Sequence, residues 1–452
     1  MCVFALKITS IMLVRFTVRN YKSFREPAEW SLLASPDNTR EADNVVEVPE
    51  FSLRLLRSAV VYGANASGKS KLVQAIMFMR DFVRNSSRET QKGDAIPVEP
   101  FRLSTVTEHQ PSEFEVVFLH EQVLYRYGFT ASTTQIVAEW FYYRPKTKEI
   151  ELFYRDEQGI RLHKSRFSGI IQSLVTGKNV RENALLLSVA SQFNNPIAVH
   201  AFEWFDDKLG GVSGLNADSY QGYSMSEAEN PAQKQRMLDL LRQADLAILD
   251  VEIETAEFEQ VSSAMSTQLR RQVREQLKQG HKPVIYSDVY TARLQYDANQ
   301  EAAGSVSFSL TSDESAGTEK FFYLTGPLLD VLDNGMVFVV DELDSRLHPN
   351  LVAQIVALFN SRTLNPHNAQ LLFNTHNSNL LDKSSFRRDQ VWFTEKDRFG
   401  ATTLYSLGDF TGVKKDGQYE DNYLRGKYGA IPILGDFGHP FAATQSQPED
   451  AR

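Results

Sequence analysis

The pattern of apolar and polar positions near the N-terminus predicts two strands and a helix. Apolar and polar residues alternate over 13–18, which indicates a strand that runs into a polar turn at 20–24. A short apolar run at 58–62 predicts the second strand, and a glycine-rich turn follows it. Beyond this turn, apolar residues recur at helical spacing over 72–83. The order of strand, turn and helix is the one that phosphate binding requires.

The middle of the chain changes from a strand pattern to a helical one. Residues between about 101 and 154 alternate in polarity, which predicts an antiparallel sheet. The alternating runs are 114–119, 123–130 and 140–143. Residues from about 167 to 249 are mainly helical in pattern, with a glycine-rich loop at 210–214. A polar helix is predicted at 260–282, and since no heptad repeat persists, we expect no long coiled coil.

Helical and strand patterns alternate in the last part of the chain. This alternation predicts a parallel sheet with helices packed on it. The helical runs are 318–332 and 350–359, and the apolar strands are 336–340, 370–375 and 391–393. Beyond Pro440 the sequence is polar and without pattern, which predicts a disordered tail.

The charge and the cysteine content of the chain limit its possible binding partners and its cellular compartment. The chain has 48 basic and 57 acidic residues, and its formal charge of −9 provides no general attraction for nucleic acid or an anionic membrane. Cys2 is the only cysteine, which excludes an intrachain disulfide and fits a reducing compartment. Lys7 interrupts the apolar N-terminus and no cleavage site follows, so we expect a cytoplasmic protein without membrane spans, starting at Met1 or Met12.

The strongest chemical signal is the octapeptide at 63–70, a Walker A motif. It satisfies the pattern G-x-x-x-x-G-K-S/T between a predicted strand and a predicted helix. Backbone N–H groups of such a loop surround the phosphates, Lys69 reaches the β- and γ-phosphate oxygens, and Ser70 offers its hydroxyl to Mg²⁺. The motif therefore predicts ATP and Mg²⁺ as cofactors. The residues expected to bind them here are Gly63, Asn65, Ala66, Ser67, Gly68, Lys69 and Ser70.

An apolar strand that ends in two carboxylates, at 336–342, has the pattern of a Walker B motif. Asp341 is expected to hold Mg²⁺, and Glu342 to orient or deprotonate the attacking water. Lys69 and Asp341 lie far apart in sequence, so a large insertion must separate the two halves of one nucleotide-binding fold.

The length of 452 residues and this separation suggest a core in two lobes. We expect an N-terminal lobe with Walker A and a β-rich subdomain at 12–165. An inserted, mainly helical subdomain follows at 166–285. The C-terminal lobe is expected at 286–437, and the disordered tail at 438–452.

Three further residue groups lie near predicted strand or helix ends. Ser315 and Gly317 precede a predicted helix, whose N-terminus is a favourable site for a γ-phosphate, although an ordinary helix cap is the alternative. Asp344 follows the Walker B acids shortly afterwards. His376 closes the strand at 370–375, where it is placed to contact the γ-phosphate and water, and a structural histidine is the alternative.

In order, these elements resemble the Walker A, signature, Walker B, D-loop and H-loop elements of ABC/SMC-type ATPases, and 20–24 is similar to the opening of RecF and SMC heads. More narrowly, three segments are similar to bacterial RecF/OLD-like AAA family ATPases of the RloA/AbiL abortive-infection group. These segments are 182–188, 243–245 and 422–430. The resemblance spans about 12–437.

The resemblance implies an α/β P-loop NTPase fold of the ABC-ATPase type, with a mixed sheet, an antiparallel β-subdomain and an inserted helical subdomain. It also implies ATP hydrolysis by Lys69, Glu342 and His376, with ATP contacts from Ser315, Gly317 and Asp344. The implied partners are further copies of the chain, in a homodimer or higher homo-oligomer joined through the ATP sites. An antiphage role follows, as a sensor or regulator of a separately encoded effector such as a Toprim nuclease or a toxin.

Other functions and contacts stay open at this point. A DNA-repair ATPase of the RecF or SMC type is the first alternative, disfavoured by the acidic balance and the missing coiled coil. A signalling GTPase is the second, since 394–397 approaches a guanine-reading motif with its lysine one place late. No nuclease carboxylate cluster or metal-spacing histidines are recognised, so the effector is expected to be a separate protein.

Two features carry no assignment. The glutamine of a Q-loop cannot be placed, although Gln91 and Gln110 lie in the right interval. The basic residues of the polar helix fit either DNA or partner phosphates, or a solvated face. They are Arg270, Arg271, Arg274, Lys278 and Lys282.

Overall fold

A computed structural model describes residues 11–167, 169–256, 286–381, 385–413 and 417–435. The polar helix predicted at 260–282, with its basic residues, lies outside the described residues, as does the tail at 438–452. The described strands are β1 (Met12–Arg19), β2 (Ala28–Ser31), β3 (Val45–Val48), β4 (Leu53–Leu56), β5 (Ser58–Gly63), β6 (Ser112–His120), β7 (Val123–Ala131), β8 (Ile136–Arg144), β9 (Ile150–Asp156), β10 (Gly159–Leu162), β11 (Leu209–Ser213), β12 (Asp250–Thr255), β13 (Tyr286–Tyr296), β14 (Ala302–Ser309), β15 (Val337–Asp341), β16 (Gln370–Asn374), β17 (Val391–Lys396) and β18 (Thr402–Ser406). The described helices are α1 (Glu41–Asn44), α2 (Lys69–Asn85), α3 (Ile170–Thr176), α4 (Leu186–Gln192), α5 (Pro196–Glu203), α6 (Gln221–Glu229), α7 (Pro231–Gln243), α8 (Ala316–Asn334), α9 (Pro349–Phe359) and α10 (Tyr419–Leu424).

An antiparallel sheet forms the β-rich part of the molecule, in the order β10-β9-β8-β7-β6-β1-β2. Its strands include the three that the alternating pattern predicts. Aromatic side chains join this sheet to the helical segment, as where the ring of Phe118 stacks on that of Trp204 at 4.2 Å between centroids. Both side chains are fully buried, so this contact contributes to one continuous core.

The second large sheet has the order β11-β15-β16-β5-β17-β18 and is parallel apart from the edge strand β18. Strand β5 is buried along its whole length because helices cover both faces. Successive residues of β5 point into different cores, Val61 toward α2 and Val60 toward the cluster around α8. The predicted α/β fold with a mixed sheet and an antiparallel β-subdomain is confirmed.

The glycine-rich stretch at 210–214 was predicted as a loop, and this prediction is wrong. Residues 209–213 form β11, which pairs in parallel with β15 so that Ser213 lies beside Asp341. The next residue, Gly214, donates its N–H to the Asp341 carbonyl at 2.6 Å, and a Cβ atom on Gly214 would lie 2.8 Å from that same oxygen. Glycine is therefore needed here for close backbone approach within a sheet.

A three-stranded antiparallel sheet, β12-β13-β14, was not predicted. Strand β12 falls within the mainly helical subdomain predicted at 166–285, which also holds strand β11 and helices α3 to α7. Among the described helices, none is long and apolar enough to cross a membrane.

Candidate nucleotide-binding site

The parallel strands β5, β15 and β16 end at one edge of the sheet, and each carries a predicted site residue just beyond its last residues. The Walker A loop follows β5, Asp341 ends β15 with Glu342 next to it, and His376 follows β16. Carboxyl ends of parallel strands form the usual ligand crevice of an α/β sheet. The fold thus brings together three motifs that are distant in sequence.

The Walker A loop curls so that helix α2 begins at Lys69. Ala66 and Gly68 adopt left-handed backbone angles, with φ of 63° and 116°. Asn65 and Ala66 form the exposed tip, whereas Ser67, Gly68 and Lys69 are buried and Ser70 is half-buried. The free N–H groups at the start of α2 face the loop and provide an anion site.

Lys69 closes the Walker A loop on itself. Its Nζ donates to the carbonyl oxygens of Gly63 at 2.8 Å and Ala64 at 3.2 Å. Burial lowers the pKa of Lys69, and the negative charges of Glu342, Asp344 and Asp341 act in the opposite direction. The lysine therefore lies within electrostatic reach of the Walker B acids, which is where a bound triphosphate and its metal need a positive charge.

Hydroxyl groups from two other elements fix the loop from behind. Ser67 Oγ lies 2.7 Å from Thr394 Oγ1 within β17. Thr402 Oγ1 lies 2.8 Å from both the Ser67 carbonyl and Ser23 Oγ. The polar turn at 20–24, noted for its resemblance to RecF and SMC heads, is therefore attached to the phosphate loop. No sequence motif marks Thr402, and Thr394 is marked only as the first residue of the guanine-like motif at 394–397.

The Walker B acids share one amide partner that pattern analysis also missed. Asn374, the last residue of β16, is fully buried, and its Nδ2 donates to Asp341 Oδ1 at 2.5 Å. Its Oδ1 accepts from the backbone N–H of Glu342 at 2.7 Å. Glu342 has a left-handed backbone with φ of 54°, which is uncommon for a residue with a side chain and is often found at functional sites.

His376 and Asp344 lie against each other beyond the strand ends. The backbone N–H of His376 donates to Asp344 Oδ2 at 3.1 Å. Burial and the charge of Lys69 lower the pKa of His376, so its imidazole is neutral at neutral pH. A neutral imidazole can accept a hydrogen bond from water or donate one to a phosphate oxygen.

A cavity of about 660 Å³ lies directly over the Walker A loop. Residues 63–67 and His376 form its floor, and the C-terminal segment 423–434 forms the opposite wall. Tyr423 anchors that wall, since its ring packs on Phe393 at 5.5 Å and on Tyr62 at 5.6 Å. The sequence marked 422–430 only as a family resemblance, and the structure places it beside the candidate phosphate site.

A second cavity of about 230 Å³ opens beside the turn at 20–24. Four basic side chains line it, from Lys22, Lys71, Arg102 and Lys396. Glu99 pairs with Lys22 at 3.1 Å. The excess positive charge next to the Walker A loop favours an anionic ligand.

The predicted signature residues lie on the surface, outside the residues that line the cavity over the Walker A loop. Ser315 is exposed and caps α8, since its Oγ accepts from the Thr318 N–H at 3.1 Å. Gly317 packs against the D-loop backbone, where a Cβ atom would lie 2.7 Å from the Arg346 carbonyl oxygen. A single chain therefore assembles Walker A, Walker B and the H-loop but leaves the signature elements facing outward.

A buried lysine, which pattern analysis also missed, joins the signature helix to the D-loop. Lys320 of α8 donates from Nζ to the carbonyl oxygens of Leu343 at 2.9 Å and Ser345 at 2.5 Å. Burial lowers the pKa of Lys320 to about 8. These contacts connect helix α8 directly to the backbone that follows Walker B.

The Q-loop stays unassigned. Gln91 and Gln110 are both exposed, and neither lines the described cavities. Strand β11, which pairs with β15, ends at Ser213. The side chain beside Asp341 on that strand is therefore a serine hydroxyl and not a glutamine amide.

Comparison with known proteins identifies the family. A family model described as "AAA domain, putative AbiEii toxin, Type IV TA system" matches residues 58–382. The chain belongs to this AAA-domain family. The match begins at β5 and ends beyond His376, so it includes the Walker A, signature, Walker B and H-loop positions. Membership and the motifs together make the chain a P-loop nucleotide-binding protein.

Solved structures that are similar to this chain include heads of SMC proteins. The SMC head domain from Thermotoga maritima is 12% identical and covers 87% of this chain and 98% of its own, with a TM-score of 0.36. A Smc head bound to the C-winged helix domain of ScpA is 12% identical, with coverages of 87% and 97% and a TM-score of 0.39. A Smc head with an extended coiled coil, bound to the C-terminal domain of ScpA derived from Pyrococcus furiosus, is 12% identical, with coverages of 88% and 96% and a TM-score of 0.35. A search of curated proteins gives no match.

Proposed function

We propose that this AAA-domain protein binds and hydrolyses ATP with Mg²⁺ in sites that two copies of the chain complete together. Lys69 and the N–H groups of the Walker A loop hold the phosphates, and Ser70 and Asp341 hold the metal ion. Glu342 activates the water, and His376 contacts the γ-phosphate. The proposal rests on one observation: Ser315 is exposed at a helix N-terminus, outside the cavity that contains the Walker A loop.

The exposed signature loop has the chemistry to complete a partner's site. The first turn of α8 has free N–H groups, and Ser315 adds a hydroxyl that can reorient toward a phosphate oxygen. Glu314, next to it, is held by Arg293 at 2.7 Å, which fixes the position of the loop. Binding of a γ-phosphate between two chains would join them, and hydrolysis would release them.

The biological output that we propose is control of a separate effector in antiphage defence, as in the RloA/AbiL group. Two facts support it. The family is described with the words "putative AbiEii toxin, Type IV TA system". The chain also holds segments similar to that group, and one of them, 422–430, forms part of the wall of the nucleotide cavity.

Complementation between two defective variants tests the composite site. Lys69→Ala removes the phosphate lysine, and Ser315→Arg blocks the signature loop, so each homodimer has two broken sites. A mixed dimer has one intact site, built from Lys69 of one chain and Ser315 of the other. We expect each variant alone to be inactive and the mixture to recover part of the ATPase rate. Ser219→Arg, at another exposed serine, is the control: it shows whether a new arginine on the surface affects the ATPase rate by itself.

Failure of the mixture to recover any activity, with both variants folded and Ser315→Arg still binding ATP, would rule out a site shared between chains. Salt-dependent DNA binding by the isolated protein would instead support the DNA-repair alternative.

A further inference from the structure

A cluster of two histidines and a glutamate lies at the end of the antiparallel sheet, in a part of the molecule distinct from the nucleotide site. His120 ends β6, Glu121 begins the turn to β7, and His200 comes from α5. One ring nitrogen of each histidine and a carboxylate oxygen of Glu121 lie within 4.8 Å of one another. His200 Nε2 lies 3.0 Å from Glu121 Oε2.

His120 is the unusual member of this cluster. Its side chain is only 2% exposed, and both ring nitrogens lack a hydrogen-bond partner among the described residues. A buried polar group without a partner costs free energy, so such groups normally have a ligand or an ordered water. The two imidazole rings lie 4.4 Å apart between centroids, tilted by 42°, so His120 faces His200.

The second ring nitrogen of His200 is already fixed. Its Nδ1 lies 2.7 Å from the hydroxyl of Tyr125, which leaves Nε2 directed at Glu121 and the cluster. Histidines that bind metals usually donate their other ring N–H to an acceptor, which sets the tautomer and the ring orientation. With Nδ1–H donating to the Tyr125 hydroxyl oxygen, Nε2 keeps its lone pair for a metal ion.

We propose that His120, Glu121 and His200 form a site for a divalent transition-metal ion, with Zn²⁺ as the best fit. Imidazole and carboxylate ligands suit Zn²⁺, and three protein ligands leave a fourth position open. Glu203 carries a further carboxylate, 4.0 Å from His120 Nε2. The carboxylates of Glu121 and Glu203 offset the nearby positive charge of Lys208.

The bound ion would join elements from two parts of the chain. His120 and Glu121 belong to the β6–β7 hairpin, whereas His200 belongs to the helical segment that precedes β11. Strand β11 in turn lies beside Walker B. A metal at this point would therefore stabilise the packing of the helical segment on the antiparallel sheet.

Zinc titration of the metal-free, full-length chain tests the proposal without nucleotide. We expect one Zn²⁺ to bind per chain by calorimetry and to raise the melting temperature. His200→Gln should weaken binding at least about 100-fold, and Tyr125→Phe, which removes only the orienting hydroxyl, about 10-fold. His109→Gln, at a side chain that is 82% exposed, is the matched control and should bind Zn²⁺ as tightly as the unsubstituted protein does. Co²⁺ absorption reports the ligand geometry.

The proposal is wrong if His200→Gln binds Zn²⁺ as tightly as the unsubstituted protein, or if the unsubstituted protein binds no Zn²⁺. Melting curves recorded with chelator separate a loss of ligand from a loss of fold. Glu121 is exposed, so Glu121→Gln provides the same test if His200→Gln does not fold. Asp341→Asn should keep its zinc, since the Walker B acid lies outside this cluster, and loss of zinc there would equally contradict the assignment.

Discussion

Asn374 Nδ2 donates to Asp341 Oδ1 at 2.5 Å, and the same amide accepts from the backbone N–H of Glu342. One buried side chain thus orients the carboxylate expected to hold the metal and fixes the backbone of the residue expected to activate water. Parallel pairing of β15 and β16 makes this possible, because it places the two strand ends next to each other. The position of Glu342 therefore depends on a residue of the neighbouring strand.

Asn374→Ala should lower both stability and metal affinity. Removal of the amide leaves the part-buried Glu342 N–H without its acceptor, which costs at most about 1–3 kcal/mol in the free energy of unfolding. Asp341 becomes free to rotate, so the Mg²⁺ concentration for half-maximal ATPase activity should rise. Urea unfolding and Mg²⁺ titration measure these effects. Asn379→Ala, at an exposed asparagine, is the control, and equal behaviour of the two variants would contradict the assigned role.

Lys69→Ala should abolish nucleotide binding. The ammonium group is the cation that the Walker A loop itself presents to the phosphates, so its loss should weaken ATP binding by at least about 100-fold, or ~2.7 kcal/mol. Calorimetric titration with ATP and Mg²⁺ measures the change. Lys148→Ala, at an exposed lysine in the β8–β9 turn, should bind normally. Unaltered ATP affinity in Lys69→Ala would place the nucleotide elsewhere.

Lys320→Met should loosen the D-loop without blocking ATP binding. The variant keeps the length of the side chain but leaves the Leu343 and Ser345 carbonyls without their donor. We expect faster amide hydrogen exchange at 343–346 and a weaker ATP-dependent dimer, with stability reduced by about 1–3 kcal/mol. Exchange measured by mass spectrometry tests this, with Lys146→Met as the exposed control. Unchanged exchange at 343–346 would show that Lys320 does not hold the D-loop.

The pH dependence of ATP hydrolysis should reflect the lowered pKa of His376. Burial, together with Lys69, disfavours the imidazolium form, so His376 stays neutral until the pH falls below its ordinary pKa of 6.5. If neutral His376 contacts the γ-phosphate or water, the acidic limb of kcat should lie below pH 6.5. A pH–rate profile, compared with that of His376→Gln, measures it. If the unsubstituted protein shows an acidic limb of kcat above pH 6.5, this account is contradicted.

The sequence predicts the strands and motifs that are encoded locally. The run 58–62 and the glycine-rich turn after it have a strong local pattern, and the structure forms β5 and α2 there. The residues that end β15 and β16 are likewise predictable from apolar runs that stop at polar residues.

The rest depends on contacts between distant segments. Asn374, Thr402 and Lys320 act on the site only because the sheet and α8 bring them to it, and no spacing in the sequence marks them. Strand β11 is missed because glycine content suggests a loop, whereas here glycine serves close packing beside Asp341. The cluster of His120 and His200 is not visible in the sequence either, because its members come from separate elements and meet only in the fold.

The oligomeric state of Glu342→Gln tests the central claim most directly. This variant should bind Mg²⁺ and ATP without hydrolysing the ATP, so a shared site would hold two chains together. Mass photometry with ATP and Mg²⁺ should show a dimer that disappears when Ser315→Arg is added to the same chain. A Glu342→Gln protein that binds ATP and remains a monomer, or a dimer that persists with Ser315→Arg, would contradict the account.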